Sequence, residues 1–298
     1  MKHAFLIMAH TNYPLVARLL KKLDHENNNI YLHIDAKSTL TEEDKTLLLG
    51  SCTRSTVKFT PRYSVNWGAY SQINIEMRML EFASADQNDY YHFLSGVDFP
   101  IKSMTYIHEF FENHKGTEFV HFCSDEFNAS QKKRFSYYHF LQEKCGRQHN
   151  IYMYIKFGLL LLQKILRVDR TRKFKEYEYK GGSNWVSVTH DFVCYLLGKQ
   201  DLIKKMFRDS ACCDEFFLQT VLYNSPYKEK IYNLSSDETA VTNLRFIDWE
   251  RGDKAAGSPY TFEADDFHTL LASENLFCRK VGNATDAQTA LLEKLEEL

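Results

Sequence analysis

Short apolar runs alternate with amphipathic segments along the N-terminal third of the chain. Their spacing predicts strands over Lys2–Ala9, Ile30–Ile34, Thr56–Phe59 and Tyr90–Leu94, and helices over Tyr13–Leu23 and Tyr70–Phe82. Strands that alternate with helices are typical of a mostly parallel sheet that is covered by helices on both faces. The pattern therefore predicts an α/β fold.

The strands and helices of the second half are more widely spaced. The pattern predicts strands over Trp185–Val188 and Leu244–Trp249, an extended segment over Leu276–Val281, and helices over His190–Leu197, Asp265–Ala272 and from Thr285 or Asp286 to Leu298. The sequence has no low-complexity linker and no internal repeat. We therefore predict one domain over residues 1–298, completed by a C-terminal helix within residues 283–298.

A basic and aromatic stretch, residues 128–180, interrupts this pattern, and we expect it to form a helical insertion on the acceptor or membrane side. Its apolar segment Ile151–Val168 carries Lys156, Lys164 and Arg167 among its apolar residues. Such a helix is either buried in the protein or lies in a membrane interface with its basic side chains extended to the surface. We favour packing against the body of the protein, because apolar helices in soluble chains are mostly core.

Three polar residues stand at or just beyond predicted strand ends. They are His10, Asp35 and Asp98. A helix cap or a turn would explain each one alone. Because ligands of open parallel sheets bind outside the carboxyl ends of the strands, the three together favour a binding site at that edge.

Two adjacent acids, Asp214 and Glu215, open an apolar stretch with helical spacing that ends at Tyr223. A helix N-terminus favours negative charge because of its unpaired N–H groups and its dipole. The pair is therefore either an ordinary acidic first turn or a catalytic carboxylate held at a rigid helix start. Upstream, Gly181 and Gly182 would allow a close backbone approach to a ligand, although any tight turn also uses glycine.

Composition narrows the class of protein. A formal net charge of -2 over 298 residues gives no overall attraction to nucleic acid. Local basic clusters at Lys132–Arg134 and Lys164–Lys180 either bind phosphate groups, phospholipid or RNA, or form solvated faces. Seven cysteines without metal-ligand spacing predict free thiols and a cytoplasmic location. No apolar run reaches the ~18 to 20 residues that a membrane span needs.

Several catalytic signatures are missing from the sequence. It has no G-x-x-x-x-G-K-[ST] loop, no G-x-G-x-x-G after the first strand and no G-x-S-x-G, which argues against P-loop phosphoryl transfer, dinucleotide binding and esterase chemistry. It also lacks a D-x-D pair, with which many sugar-nucleotide enzymes hold a divalent metal on a diphosphate. Fixed cations can stabilise such a leaving group instead, and Arg279 and Lys280 are candidates.

Six segments carry a resemblance to a known family. In chain order they are IYLHIDAKS (Ile30–Ser38), FLSGVDFPIKS (Phe93–Ser103), GSNWVSV (Gly182–Val188), DEFFLQT (Asp214–Thr220), LRFIDW (Leu244–Trp249, followed by Ser258–Pro259–Tyr260) and LFCRK (Leu276–Lys280). In these segments the chain resembles the core-2/I-branching β-1,6-N-acetylglucosaminyltransferases and the related peptide O-xylosyltransferases. The resemblance runs from Met1 to Gly282 and is weakest in residues 128–180.

The resemblance implies a GT-A type fold and an inverting, metal-independent glycosyltransferase that uses a UDP-sugar. It places the catalytic base at Glu215, the diphosphate-binding lysine at Lys280, a nucleotide contact at Asp35, and the floor of the active site at Asp98. Arg279 corresponds to an arginine that stands beside that lysine in many relatives. One carboxylate suffices for inversion, because a single base takes the proton of the acceptor hydroxyl while the nucleotide leaves from the opposite face.

The same resemblance places Trp249 on the acceptor side. We add His10 to the donor-binding residues, and Ser183, Trp185 and Asp214 to the substrate-binding residues. Tryptophan rings such as Trp185 and Trp249 stack on the apolar faces of sugar rings.

The chain also departs from the family pattern. Cys213 stands where the family has proline, and neither a second phosphate-binding arginine before Glu263 nor the vertebrate acceptor-contacting residues have a clear counterpart. Vertebrate members have a membrane anchor, a stem and disulfides, whereas this chain starts directly at its first strand. We therefore expect a bacterial enzyme in the cytoplasm, peripheral at the inner face of the membrane, that acts in surface polysaccharide, lipopolysaccharide or glycoprotein glycan assembly.

The expected partners are a UDP-sugar donor and a glycan or glycolipid acceptor, with no nucleic acid, metal or other cofactor. GlcNAc is the first expectation for the sugar, with xylose, glucose and galactose open. Two alternatives remain: a metal-dependent glycosyltransferase with a cryptic acidic pair, and a non-catalytic glycan- or lipid-binding protein of the same fold. The sequence leaves the oligomeric state open.

Overall fold

Strands and helices alternate through the chain, as the sequence pattern predicts. A computed structural model describes residues 1–146, 150–234 and 242–298. Its strands are β1 (His3–Ala9), β2 (Asn28–Ile34), β3 (Thr56–Phe59), β4 (Tyr90–Ser95), β5 (Asp98–Pro100), β6 (Ser187–Thr189), β7 (Arg245–Ile247) and β8 (Phe277–Arg279). Its helices are α1 (Tyr13–Lys22), α2 (Glu42–Leu49), α3 (Tyr70–Ser84), α4 (Met104–Asn113), α5 (Asp125–Ser130), α6 (Lys133–Ser136), α7 (Gln142–Cys145), α8 (Ile151–Ile165), α9 (His190–Leu197), α10 (Gln200–Phe207), α11 (Asp214–Tyr223), α12 (Phe267–Ala272) and α13 (Asp286–Glu296).

The central sheet has five strands in the order β3-β2-β1-β4-β6. The first four are parallel, and β6 runs antiparallel to β4. Successive residues of β1 alternate between two cores: Phe5 packs with α1, α4 and α13, and Leu6 packs with α3, α9 and α11. The predicted α/β fold, a mostly parallel sheet with helices on both faces, is confirmed. The single-domain prediction stays a prediction.

A second sheet of three strands, in the order β5-β8-β7, was not predicted. Asp98 begins β5 and pairs in register with Arg279 of antiparallel β8, while β7 runs parallel to β8. Asp98 therefore lies on a strand and not in the loop after β4. Strands of three residues leave too short a periodic signal in the sequence to be recognised.

Some predicted bounds are corrected by the structure. The strand expected over Trp185–Val188 is Ser187–Thr189, because Trp185 lies in a turn where its N–H donates to the Ser183 hydroxyl. The strand expected over Leu244–Trp249 covers only Arg245–Ile247. Helices α2, α4, α5 and α10 were missed, although Thr41 and Asp44 form a capping box at the start of α2.

The preferred interpretation of the apolar segment Ile151–Val168 is wrong. It forms α8, in which only Gln163 is buried, whereas Ile151, Phe157 and Ile165 are largely exposed. Most of its apolar residues therefore do not pack against the body, although Met153, Leu159 and Leu160 are half-buried on the inward side with Lys156 and Gln163. Among the described residues no helix is long and apolar enough to cross a membrane.

A buried polar network joins the two sheets below the candidate site. The His3 and His92 rings share a hydrogen bond of 2.9 Å between Nδ1 and Nε2. His92 Nδ1 lies 2.7 Å from the Ser187 hydroxyl, which also accepts from the Arg245 guanidinium at 2.7 Å. Burial lowers the pKa of both His3 and His92 well below the usual value, so both rings are neutral in the folded protein.

This network predicts a loss of stability in acid. Because the folded-state pKa of His92 is below its unfolded value of ~6.5, the unfolded chain binds a proton there that the folded chain does not. Neutral His92 therefore makes its full contribution to the free energy of unfolding above pH ~6.5. Below that pH this contribution falls by about 1.4 kcal/mol per pH unit. We expect H92Q, although less stable than the wild type at pH 7.5, to lose less of its free energy of unfolding on acidification. Urea unfolding across a pH series measures this, and equal pH slopes for the two proteins would contradict it.

Candidate functional site

The two acids at the start of α11 face in different directions. The helix anchors itself through buried Phe216, Phe217 and Leu222, which fixes its first turn against the core. Asp214 is buried there, whereas the side chain of Glu215 is 46% exposed. A carboxylate that is fixed by a rigid helix but open to solvent can reach a ligand.

Asp214 links α11 to its neighbours. Its Oδ2 accepts hydrogen bonds from Asn184 Nδ2 at 2.7 Å and from Gln72 Nε2 at 3.0 Å. Burial, reinforced by the nearby charge of Glu215, raises the pKa of Asp214 to about 6. In this structure Asp214 orders the start of α11, and its substrate contact stays a prediction.

Glu215 is held by an arginine that the sequence did not single out. Arg134 Nη1 donates to Glu215 Oε2 at 2.6 Å, and the backbone carbonyl of Arg134 accepts from Ala211 N at 2.9 Å. From the sequence, we predicted only that the basic cluster Lys132–Arg134 either binds phosphate groups, phospholipid or RNA, or forms a solvated face. Arg134 and Glu215 are 81 positions apart, so the fold alone reveals their contact.

The turn before β6 packs tightly against α11. Gly182 N donates to the Glu215 carbonyl at 2.8 Å, and a Cβ on Gly182 would lie 1.8 Å from the His121 carbonyl oxygen. Glycine is therefore required here by the close approach of the chain's own backbone, which agrees with the tight-turn alternative that the sequence left open. Ser183 is fixed in the same turn, since its carbonyl accepts from Gln219 Nε2 at 2.8 Å.

Arg279 is oriented by residues of both sheets. Its Nη1 donates to Asp98 Oδ1 at 2.8 Å and also contacts the Ser95 hydroxyl. Its guanidinium carbon lies 4.4 Å from the centre of the Trp185 ring, a cation–π arrangement. Asp98 is buried below, so it positions Arg279 from the floor of the site.

Lys280 follows Arg279 and places a second cation beside it. Its Nζ donates to the Ser258 hydroxyl at 2.9 Å, in the loop that precedes Tyr260. Partial burial and, second, the charge of Arg279 lower the pKa of Lys280. A bound anion such as a diphosphate would relieve this repulsion between two adjacent cations.

A chain of contacts therefore runs from Asp98 through Arg279 and Trp185 to the turn that holds Glu215. His10 and Asp35 lie at the same edge of the central sheet, because β1 and β2 end in register at Ala9 and Ile34.

The remaining predicted residues lie around this chain of contacts. His10 is exposed. Asp35 orders the turn after β2, where it accepts from Lys37 N at 2.8 Å. Trp249 lies beyond β7 and is exposed, and its acceptor contact stays a prediction.

A cleft of about 540 Å³ opens beside the site, within the basic insertion. Its lining includes Lys132, Phe135, Arg172, Lys175 and Tyr179. Phe135 directly follows Arg134 and stacks on Tyr179 with ring centroids 4.3 Å apart. The cleft thus combines cationic and aromatic side chains, and Phe135 joins it to the start of α11 through its contact with the Phe216 ring, 5.2 Å away between centroids.

Metal-ligating residues are dispersed in the part of the chain that the structure describes. No group of three His, Cys, Asp or Glu side chains there could hold a metal ion. None of the seven cysteines, all of which lie in the described ranges, forms a disulfide. The expectation that no metal is needed stays a prediction.

The sequence of the chain is similar to those of known proteins. The family model described as Core-2/I-Branching enzyme matches residues 3–272. Xylosyltransferase oxt of Drosophila pseudoobscura pseudoobscura is 27% identical over 304 residues, covering 95% of this chain and 31% of that protein. Beta-1,3-galactosyl-O-glycosyl-glycoprotein beta-1,6-N-acetylglucosaminyltransferase of Bos taurus is 24% identical over 316 residues, covering 99% of this chain and 68% of that protein. The chain spans about a third of the length of the xylosyltransferases.

Solved structures resemble the chain only weakly. Mouse xyloside xylosyltransferase 1 in its apo form aligns with a TM-score of 0.40 and 13% identity, over 95% of this chain and 99% of that one. Core-mannan synthase A of Aspergillus fumigatus aligns with a TM-score of 0.37 and 11% identity, over 76% of this chain and 71% of that one. TM-scores of this size support no conclusion about substrate or activity.

Proposed function

Because this chain belongs to the Core-2/I-branching enzyme family, we propose that it is a glycosyltransferase of GT-A type that moves a sugar from a UDP-sugar to a hydroxyl of an acceptor glycan. The proposed sugar is GlcNAc, the reaction inverts the anomeric centre, and it needs no metal. The observation that carries the proposal is the chain of contacts that joins the cation Arg279, through Trp185, to the turn behind the exposed carboxylate Glu215.

The proposed reaction uses Glu215 as general base. As the acceptor oxygen bonds to C1 of the sugar, the bond from C1 to the UDP oxygen breaks on the opposite face, and the hydroxyl proton passes to Glu215. Arg279 and Lys280 stabilise the negative charge that grows on the departing UDP. Arg134 donates to Glu215 Oε2, which orients the carboxylate.

The remaining site residues divide between donor and acceptor. In this proposal His10 and Asp35 contact the nucleotide at the carboxyl edge of the sheet, the usual ligand position in such sheets. Trp185 and Trp249 stack on sugar rings. The cationic and aromatic cleft beside Arg134 would receive the distal part of the acceptor.

We place the enzyme in the bacterial cytoplasm, at the inner face of the membrane, where it would act in the assembly of surface polysaccharide, lipopolysaccharide or glycoprotein glycans. Nucleic acid has no part in this proposal. The exposed apolar helix α8, which lies within a basic insertion, supports the proposed contact with the membrane.

Nucleotide sugars are expected to stabilise the protein without metal. A ligand present at a hundredfold excess over its Kd adds about 2.7 kcal/mol to the free energy of unfolding. We expect this from UDP and from one of UDP-GlcNAc, UDP-xylose, UDP-glucose and UDP-galactose, unchanged by EDTA, in a thermal-shift assay. Stabilisation that requires a divalent metal would instead indicate a metal-dependent transferase. The absence of any shift would favour a non-catalytic binding protein and contradict the proposal.

A further inference from the structure

Helix α8 is oriented with polar side chains inward. Gln163, the one buried residue of the helix, donates to the Tyr138 carbonyl at 2.9 Å and accepts from Tyr138 N at 2.8 Å. Half-buried Lys156 donates to the Gln142 side chain. These hydrogen bonds, together with half-buried Met153, Leu159 and Leu160, hold α8 on the protein, whereas a helix of a soluble domain normally buries most of its apolar face.

The outward face of the same segment is apolar. Eight side chains on it are between 47% and 69% exposed: Ile151, Tyr154, Ile155, Phe157, Leu161, Leu162, Ile165 and Leu166. A continuous apolar patch of this kind on a protein surface marks a site of contact with another apolar phase or partner.

The charge of the residues around α8 distinguishes a lipid surface from a protein partner. Residues 128–180 contain 13 Lys and Arg against 4 Asp and Glu, whereas the whole chain has a net charge of -2. At the ends of α8, Lys144 lies 5.3 Å from the Tyr152 ring centre, and Lys164 and Arg167 are exposed. An apolar strip flanked by lysine and arginine fits an anionic lipid surface. It does not favour a second copy of the same positively charged insertion.

We propose that α8 lies in the headgroup region of an anionic bilayer, with its apolar face toward the acyl chains and Lys144, Lys164 and Arg167 at the lipid phosphates. The helix has 15 residues, about 22 Å of length, which is shorter than the ~30 Å hydrocarbon core. It therefore binds in the plane of the membrane and does not insert across it.

The orientation of α8 on a membrane indicates which kind of acceptor the enzyme would use. Tyr138, which holds Gln163 of α8, follows four positions after Arg134, the residue that contacts Glu215. Residues 134–138 therefore connect the proposed base to the helix that would bind the membrane. This step rests on the proposed function: the acceptor is a glycan carried on a membrane lipid, presented at the surface to which the enzyme is bound.

The test is co-sedimentation of the full chain with sucrose-loaded vesicles of phosphatidylcholine, with and without phosphatidylglycerol. We expect binding to the anionic vesicles and little to the neutral ones. Because each buried Phe or Leu side chain contributes to membrane binding, the double variant F157E/L161E should lower the partition coefficient at least about tenfold. The matched control is L47E/L49E, which changes two exposed leucines of α2 and should bind as the wild type does.

Each outcome of this test supports or contradicts the binding of α8 to an anionic bilayer. Equal binding of wild type and F157E/L161E, or no binding of the wild type to anionic vesicles, would overturn it. A dimer in light scattering that F157E/L161E dissociates, without vesicle binding, would identify a second copy as the occupant and also overturn it. UDP affinity of the same variants, measured by calorimetry without vesicles, tests the proposed function separately, because the hydrogen bonds of Lys156 and Gln163 join α8 to Gln142 and Tyr138 and not to the donor-binding residues.

Discussion

Replacing Glu215 with Gln is expected to lower sugar transfer by about 10²- to 10⁴-fold, the usual contribution of a positioned general base. The amide cannot accept the proton of the acceptor hydroxyl at neutral pH. It keeps the size of the side chain and one oxygen that can accept from Arg134, which lies 2.6 Å from the carboxylate. UDP affinity should therefore stay within about twofold, because the cations Arg279 and Lys280 are unchanged.

The measurement is kcat for UDP release with acceptor-containing membranes, together with UDP binding by calorimetry. The matched control is E43Q, which alters an exposed acid in the first turn of α2 and should retain both properties. Full turnover by E215Q would remove Glu215 as the base. Loss of UDP affinity together with turnover would show that the substitution disturbed the start of α11.

Replacing Lys280 with Ala is expected to weaken UDP binding by about 10- to 100-fold, since a hydrogen bond to a charged group contributes about 1.5 to 3 kcal/mol. The stability of the free protein should change little. Removing Lys280 costs its hydrogen bond to Ser258 and its attraction to Asp98, but it also relieves the repulsion with Arg279 that contributes to its lowered pKa.

Calorimetric titration with UDP, in the presence of EDTA, tests this expectation. K254A removes an exposed lysine from the loop before Ser258 and serves as the matched control, with unchanged affinity. An unaltered Kd in K280A would exclude Lys280 from diphosphate binding.

The main sheet could be predicted from sequence because β1, β2 and β4 are buried on both faces. Their continuous apolar runs are the signature of such strands. The second sheet could not be predicted, since β5, β7 and β8 have three residues each and their pairing joins distant parts of the chain.

The orientation of α8 could not be predicted for a different physical reason. A hydrophobic pattern shows which residues share a helix face, and the assignment of that face to the interior assumes that water surrounds the protein. In α8 the inward side carries the hydrogen-bonding residues Lys156 and Gln163, and most of the apolar residues face outward.

The candidate site was only partly visible in the sequence. Strand ends and family segments identified Glu215, Arg279 and Lys280. The function of Asp98 as the residue that orients Arg279 follows from their pairing in the second sheet. Arg134 was not identified from the sequence, because an arginine within a basic cluster does not indicate which distant acid it contacts.

The central claim, an inverting transfer from a UDP-sugar, is tested most directly by the anomer released when water replaces the acceptor. Proton NMR can follow the hydrolysis of α-linked UDP-GlcNAc by the wild-type protein in EDTA, before the free sugar equilibrates. The account predicts that β-GlcNAc appears first and that E215Q releases it far more slowly. Initial release of α-GlcNAc would contradict inversion and, with it, the assignment of Glu215 as the single base.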